Sequence, residues 1–135
     1  MITTFTLPFP PSVNNLYATV MGRKVLSKRG REYHAEVATA MVRQQYLRFG
    51  AQRVGYRVTV FPPDRRRRDL SNLVKAMEDA LTNAGLWDDD SQVDDLQLVR
   101  SHVAKGGSLY VEAWSIEQQD TEIPNTAQVG LLENA

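Results

Sequence analysis

Pro62-Pro63-Asp64-Arg65-Arg66-Arg67-Arg68-Asp69-Leu70-Ser71-Asn72-Leu73-Val74-Lys75 is the stretch from which the rest of the chain can be read. Its two prolines close a strand, because proline lacks the amide proton that a sheet ladder needs. Upstream, Tyr56, Val58 and Val60 alternate with polar residues, the period of a half-buried strand. Downstream, Leu70, Leu73, Val74, Met77, Ala80 and Leu81 fall on one helical face. Asp69 or Ser71 stands where a helix cap is expected, and Gly85 where a helix stops. The stretch predicts a strand, an arginine-rich loop and then, at once, a helix.

Towards the N-terminus, residues 2–7 alternate threonine with apolar side chains and predict a first strand, ended by Pro8, Pro10 and Pro11. Ser12-Val13-Asn14-Asn15 predicts a loop rich in side-chain hydrogen bonds. Residues 18–21 and 23–26 predict a short hairpin about Gly22. Ser27 caps a predicted helix whose face runs through His34, Val37, Ala38, Met41, Val42, Gln45, Tyr46 and Phe49 to a stop at Gly50. Towards the C-terminus, residues 92–104 and 108–116 predict two strands joined as a hairpin at Gly106-Gly107. Residues 117–135 are polar, contain Pro124 and keep no period. They predict a flexible tail beyond a domain of residues 1–116, with Leu131 and Leu132 free to dock. The order of elements predicts an α+β domain, a mixed β-sheet with two main α-helices packed on it.

Composition narrows the function. A chain of 135 residues suits one domain with one core. An apolar fraction of 42% argues against global disorder. The absence of cysteine excludes a disulfide framework and thiolate metal sites, and fits a reducing cytoplasm. The start of the chain lacks the basic-then-apolar pattern of a signal peptide, and no apolar run approaches the ~20 residues of a membrane span. Formal net charge is zero, yet residues 1–68 hold 13 Lys/Arg against 3 Asp/Glu, and residues 69–135 hold 3 against 13. Such asymmetry points to a polyanion on the basic half; mutual neutralisation through weak surface pairs is the alternative.

The opening stretch also carries the candidate chemistry. Arg65, Arg66, Arg67 and Arg68 would splay to both sides of an extended loop, and guanidinium forks bind phosphate oxygens bidentately. A solvated basic loop is the alternative. Asp69 is a cap on one reading and a metal ligand on another. Asp88, Asp89 and Asp90 repel one another, a repulsion that a cation would relieve. Mg²⁺ accepts one or two carboxylates together with water and phosphate oxygens, which Asp69 and Asp90 could supply. Lys75 is either the i, i+4 partner of Asp79 or support for an attacked phosphate. His34 and His102 fit a helix face and a strand better than a metal site. No Gly-rich phosphate loop, zinc spacing or Ser/His/Asp pattern is present. Together these residues point to metal-dependent cleavage of a nucleic-acid backbone.

At these residues the chain resembles the RusA family of Holliday junction resolvases. The resemblance rests on residues 7–15 (Leu-Pro-Phe-Pro-Pro-Ser-Val-Asn-Asn), 63–70 (Pro-Asp-Arg-Arg-Arg-Arg-Asp-Leu) and 72–75 (Asn-Leu-Val-Lys). It continues through 79–82, Ala-Gly-Leu-Trp at 84–87, 89–93 and Lys-Gly-Gly at 105–107, so that it spans about residues 4–116. It implies a homodimeric, Mg²⁺- or Mn²⁺-dependent endonuclease of phage or prophage origin. Such enzymes nick opposing strands of a four-way DNA junction symmetrically in recombination and repair. It assigns the carboxylate site to Asp69 and Asp90 and the important lysine to Lys75; with one acid fewer than the family carries, Asp89 or Asp79 would assist. Arg65–Arg68, Asn14, Asn15 and Lys105 are the expected DNA-binding residues. In one place the chain departs from the pattern: Ser71 stands where the family carries a further aspartate. A hydroxyl is a weaker, uncharged ligand, so a branched-DNA-binding protein with weak or no nuclease activity is the alternative.

Overall fold

The central strand is β4, Arg53–Phe61, in which Val54, Tyr56, Val58 and Val60 are all buried. The structure is a computed structural model and describes residues 1–117. The tail expected over residues 117–135 lies, from residue 118 on, outside the described residues.

Four strands form one mixed sheet in the order β1 (Ile2–Pro8), β6 (Ser108–Ile116), β4 and β5 (Val93–Arg100). β1 and β4 both pair antiparallel to β6, and β4 pairs parallel to β5. Cross-strand partners share a face, so Phe5, Val111 and Val58 line up inward, as do Leu7, Leu109 and Val60. The helices α2 (Lys28–Arg43) and α3 (Leu70–Ala84) cover this face and complete the core with Tyr33, Val37, Met41, Met77 and Leu81. A full burial of this kind is worth about 1.5–3 kcal/mol per large apolar side chain. A separate hairpin, β2 (Tyr17–Val20) with β3 (Arg23–Leu26), follows a single helical turn, α1 (Val13–Leu16). The α+β architecture, with two main helices on a mixed sheet, is the one the sequence predicts. Among the described residues no helix is long and apolar enough to cross a membrane.

Several local expectations are corrected. Strands 92–104 and 108–116 do not form a hairpin, because β4 lies between β5 and β6. β5 ends at Arg100, and His102 sits in the connecting link, edge-on to Phe61 at 5.1 Å. The link crosses the end of β4, where Ser101 N–H donates to Val60 O and Ala104 N–H to Pro62 O. Gly107 has φ +67°, and a Cβ there would lie 2.9 Å from Pro63 Cδ and 3.0 Å from Phe9. Gly106, at φ +80°, completes a tight turn closed by Gly107 N–H donating to Ala104 O at 2.9 Å, and Gly107 allows the close approach to Pro63 and Phe9; the turn does not join paired strands. The second helix stops at Arg43, not near Gly50, because Gln44 turns its amide onto the exposed edge of β1. Thr6 N–H donates to Gln44 Oε1 and Gln44 Nε2 donates to Thr6 O, both at 2.7 Å. This blocks an edge that would otherwise recruit another strand. The buried face of α2 runs through Tyr33 rather than His34, and Val42 is exposed. The predicted 12–15 loop contains the turn of helix α1.

Candidate active site

Asp69 caps α3 as one of the two expected candidates. Its Oδ1 accepts from Ser71 N–H at 3.1 Å and from the Ser71 hydroxyl at 2.8 Å. A cap of this kind contributes about 1 kcal/mol. Its side-chain hydrogen bonds among the described residues all use Oδ1, which leaves Oδ2 for a further partner. Gly85 ends α3 in the left-handed region at φ +85°, and Leu86 N–H closes back on Leu81 O.

Asp69 opens into a groove of about 830 Å³. Asn14, Asn15, Arg66, Arg67, Arg68 and Asn72 line the same groove. The four arginines are not equivalent. Arg68 is held back: its Nη1 donates to Asp64 Oδ1 at 2.7 Å, its guanidinium lies 5.3 Å from the Phe9 ring centroid, and its carbonyl accepts from Arg100. Asp64 also accepts from Arg66 N–H at 2.9 Å. The Arg68 guanidinium, helped by that amide, holds the Asp64 carboxyl down at about 2. Arg66 is far more open than Arg68, with its side chain 84% exposed against 22%. Arg65 borders a smaller hollow on the β5 side with Arg66 and Arg100. Lys105 is exposed in the turn beside Gly106, which lies on the wall of the main groove.

The other expected carboxylate, Asp90, lies elsewhere. It borders a second cavity with Tyr17, His34, Asp79 and Asp89. Lys75 stands between acids, its Nζ 3.8 Å from Asp79 and 3.9 Å from Asp90. Asp79 accepts from the Tyr17 hydroxyl and Glu78 from the Tyr56 hydroxyl. Burial, followed by the hydrogen bond to Asp79, pushes Tyr17 up to about 12. Burial also raises Glu78, against the hydrogen bond from Tyr56. Burial lowers His34, against the pull of Asp79. Asp89 is drawn down by hydrogen bonds from the Ser91 hydroxyl and amide.

Among the described residues, no three His, Cys, Asp or Glu side chains come together as a metal cage. The donors have the right chemistry for a hard cation, which takes oxygen ligands and tolerates few carboxylates. One chain alone does not bring Asp69 and Asp90 into one cavity.

Gln92 carries a role that its sequence position did not announce. It is buried, and its Oε1 accepts from Asp88 N–H at 3.0 Å and Asp89 N–H at 2.8 Å. Its Nε2 donates to Gly50 O and Gln52 O, both at 2.7 Å. One amide thus ties the Asp88–Asp90 turn to the loop before β4. The signal available in the sequence was the capping-box spacing from Asp89 to Gln92. Trp87 fixes the same turn by stacking on Tyr56 at 5.6 Å and donating to the Thr82 hydroxyl. Arg29, Glu32 and Glu36 of α2 also line the main groove and carry no local motif that marks them.

Residues 8–113 match the family model described as endodeoxyribonuclease RusA. The chain is 47% identical over 107 residues to crossover junction endodeoxyribonuclease RusA of Shigella sonnei (strain Ss046), covering 78% of this chain and 88% of that protein. The Escherichia coli (strain K12) protein of the same name gives the same identity and coverage. The crossover junction endodeoxyribonuclease of Enterobacteria phage 82 is 48% identical over 105 residues, 77% of this chain and 87% of that protein.

Proposed function

The chain belongs to the RusA family of endodeoxyribonucleases, and from that premise we propose that it is a crossover junction endonuclease. It cuts four-way DNA by paired, symmetric nicks, acting in the cytoplasm in recombination and repair. The observation that carries this reading is the groove in which Asp69, Asn72, Arg66 and Arg67 meet.

Nucleases of this family depend on a divalent metal ion in general. Mg²⁺, with Mn²⁺ as a substitute, is the ion proposed here, held by Asp69 and Asp90 with Asp89 at its margin. When bound, such an ion supplies an activated water and offsets charge on the phosphate. The chain's own residues do the rest. Arg66 and Arg67 grip backbone phosphates, Asn14, Asn15 and Lys105 extend that grip, and Arg65 holds the adjoining strand. Arg68 acts mainly by bracing the loop against Asp64. The Lys75 ammonium steadies negative charge on the attacked phosphate or the leaving oxygen.

The separation of Asp69 from Asp90 supports a site shared between two chains. Asp69 stands at the start of α3, whereas Asp90 folds back beside Lys75 and Asp79 along the helix, and the two acids border different cavities. A two-fold homodimer would bring Asp69 of one chain to Asp90 of the other and create two equal centres, as paired nicks require.

A second reading, binding to branched DNA without cutting, has one observation in its favour: Ser71 donates to Asp69 instead of offering a carboxylate. A nicking assay on four-way junctions, linear duplex and RNA, with Mg²⁺ and with Mn²⁺, separates the two. Symmetric nicks confined to the junction are expected. Tight junction binding with no cleavage in either metal would leave the second reading standing.

A further inference from the structure

The β2–β3 hairpin has a tip that neither packing nor backbone preference explains. Its two turn residues, Met21 and Gly22, both have positive φ, +50° and +75°. This is the two-residue hairpin turn that asparagine and glycine favour. Methionine gains nothing from that conformation, and Met21 is the sole non-glycine residue at positive φ among the described residues. Its side chain is 97% exposed, and Val20 and Val25 behind it are 52% and 39% exposed. Register puts Val20 opposite Arg23 and Ala18 opposite Val25, so the valines share one face. A strained, open methionine on an apolar strip is a local arrangement that stability would not select.

The surroundings say what the strip meets. Residues 18–31 hold Arg23, Lys24, Lys28, Arg29 and Arg31 and no acid. A second copy of this basic segment would be repelled. Three side chains also fall far short of the roughly 800 Å² per partner that a stable protein interface buries. A polyanion with an apolar interior fits both features: stacked DNA, whose phosphates meet the cations and whose base steps admit an apolar wedge.

The hairpin is rooted where such a wedge would matter. Tyr17, at its base, donates to Asp79 on α3, and Lys24 lies 4.5 Å over the Tyr17 ring. Asp79 is the acid beside Lys75. At its other end the hairpin returns through Ser27, whose amide donates to Leu16 O and whose hydroxyl donates to Asn15 O. Gly30 of α2 packs so tightly beneath that a Cβ there would lie 2.3 Å from Leu16 O. From Tyr17 to Met21 the strand advances roughly 13 Å at ~3.3 Å per residue. That reach is about four base steps of duplex at ~3.4 Å each.

We propose that Met21, backed by Val20 and Val25, inserts between base steps at the branch point and opens the junction next to the cavity bordered by Asp79 and Asp90. This rests on the junction-cutting reading above. The test uses four-way junctions carrying 2-aminopurine at the branch point and at each of the four steps on either side, bound by the full chain in EDTA. Unstacking raises the fluorescence of the base analogue. Wild type should give a several-fold rise at one or two positions near the branch. Met21→Leu should keep it. Met21→Asn should reduce it at least threefold, with an unchanged salt dependence of binding and an unchanged or higher melting temperature, because asparagine suits the turn. An equal rise in Met21→Asn would overturn the wedge while leaving the nuclease reading intact. So would a loss of fluorescence accompanied by a change of oligomeric state in sedimentation, since the strip would then be a subunit interface. If wild type binds the junction no better than linear duplex, the junction-cutting reading fails first and takes the wedge with it.

Discussion

Removing Arg66 and Arg67 together should change how binding responds to salt, and the structure sets the size of the change. Both side chains line the groove beside Asp69. Each phosphate left without its cation lowers the slope of log K against log[salt] by about 0.9. Arg66→Ala/Arg67→Ala takes two guanidinium–phosphate pairs from each chain, so a homodimer should lose about 3.6 from that slope. Between 50 and 200 mM salt, wild-type affinity should then fall roughly 150-fold further than that of the variant. Arg68→Ala is the internal control, because Asp64 holds that guanidinium at 2.7 Å against 3.9 Å for the far more open Arg66. It should flatten the slope much less, and its main effect should be on the loop. Asp64 is depressed to about 2 by Arg68, so the stability it contributes is present above its ordinary value near 3.8 and is lost as pH falls towards 2. That loss on acidification should be smaller in Arg68→Ala. Fluorescence anisotropy of labelled junctions across a salt series measures the slopes, and urea unfolding between pH 4 and 2 measures the second effect. Equal salt slopes in wild type and the double variant would mean that Arg66 and Arg67 face solvent in the complex, and the assignment of the groove would fall.

Three further outcomes are expected. Asp69→Asn and Asp90→Asn should each abolish cleavage and keep junction binding, since asparagine still caps α3; mixing the two variants should restore nicking of one strand if the site is shared, and no activity above either parent would rule sharing out. Ser71→Asp should lower the melting temperature in EDTA, because a second carboxylate would replace the hydroxyl that now donates to Asp69, and should make melting rise more steeply with Mg²⁺ and cleavage begin at lower Mg²⁺; an unchanged metal titration would show that Ser71 is an adapted part of the site. Glu78 is raised above 4.5 by burial, so the native state keeps a proton that the unfolded chain has lost, and stability should fall as pH rises through that window; Glu78→Gln should remove this fall in urea unfolding from pH 4 to 8, and parallel curves for the two proteins would refute it.

The sequence by itself determined what local rules control. α3 was legible from its apolar stripe, its cap at Asp69 and its stop at Gly85, because cap, stripe and left-handed glycine all lie within one turn of what they act on. The short hairpin about Gly22 and the central strand ending at Pro62 were legible for the same reason. The tertiary structure decided what depends on residues distant in the chain. Gly106-Gly107 has the local signature of a hairpin, yet β4 separates β5 from β6, since the most continuously apolar strand gains most by being covered on both edges and one face. Gln44 ends α2 by finding Thr6, 38 residues away, and no helix propensity encodes that partner. The same holds for the site. Its residue types were readable from charge and spacing. Which arginine stays most open, which one Asp64 holds most closely, and that Asp69 and Asp90 open into different cavities were fixed only when the sheet and α3 had packed. α3 fixes Asp69 at its start by local rules, but that the turn after the helix folds Asp90 back beside Lys75 was decided only by packing, through contacts such as those of Gln92 with Gly50 and Gln52.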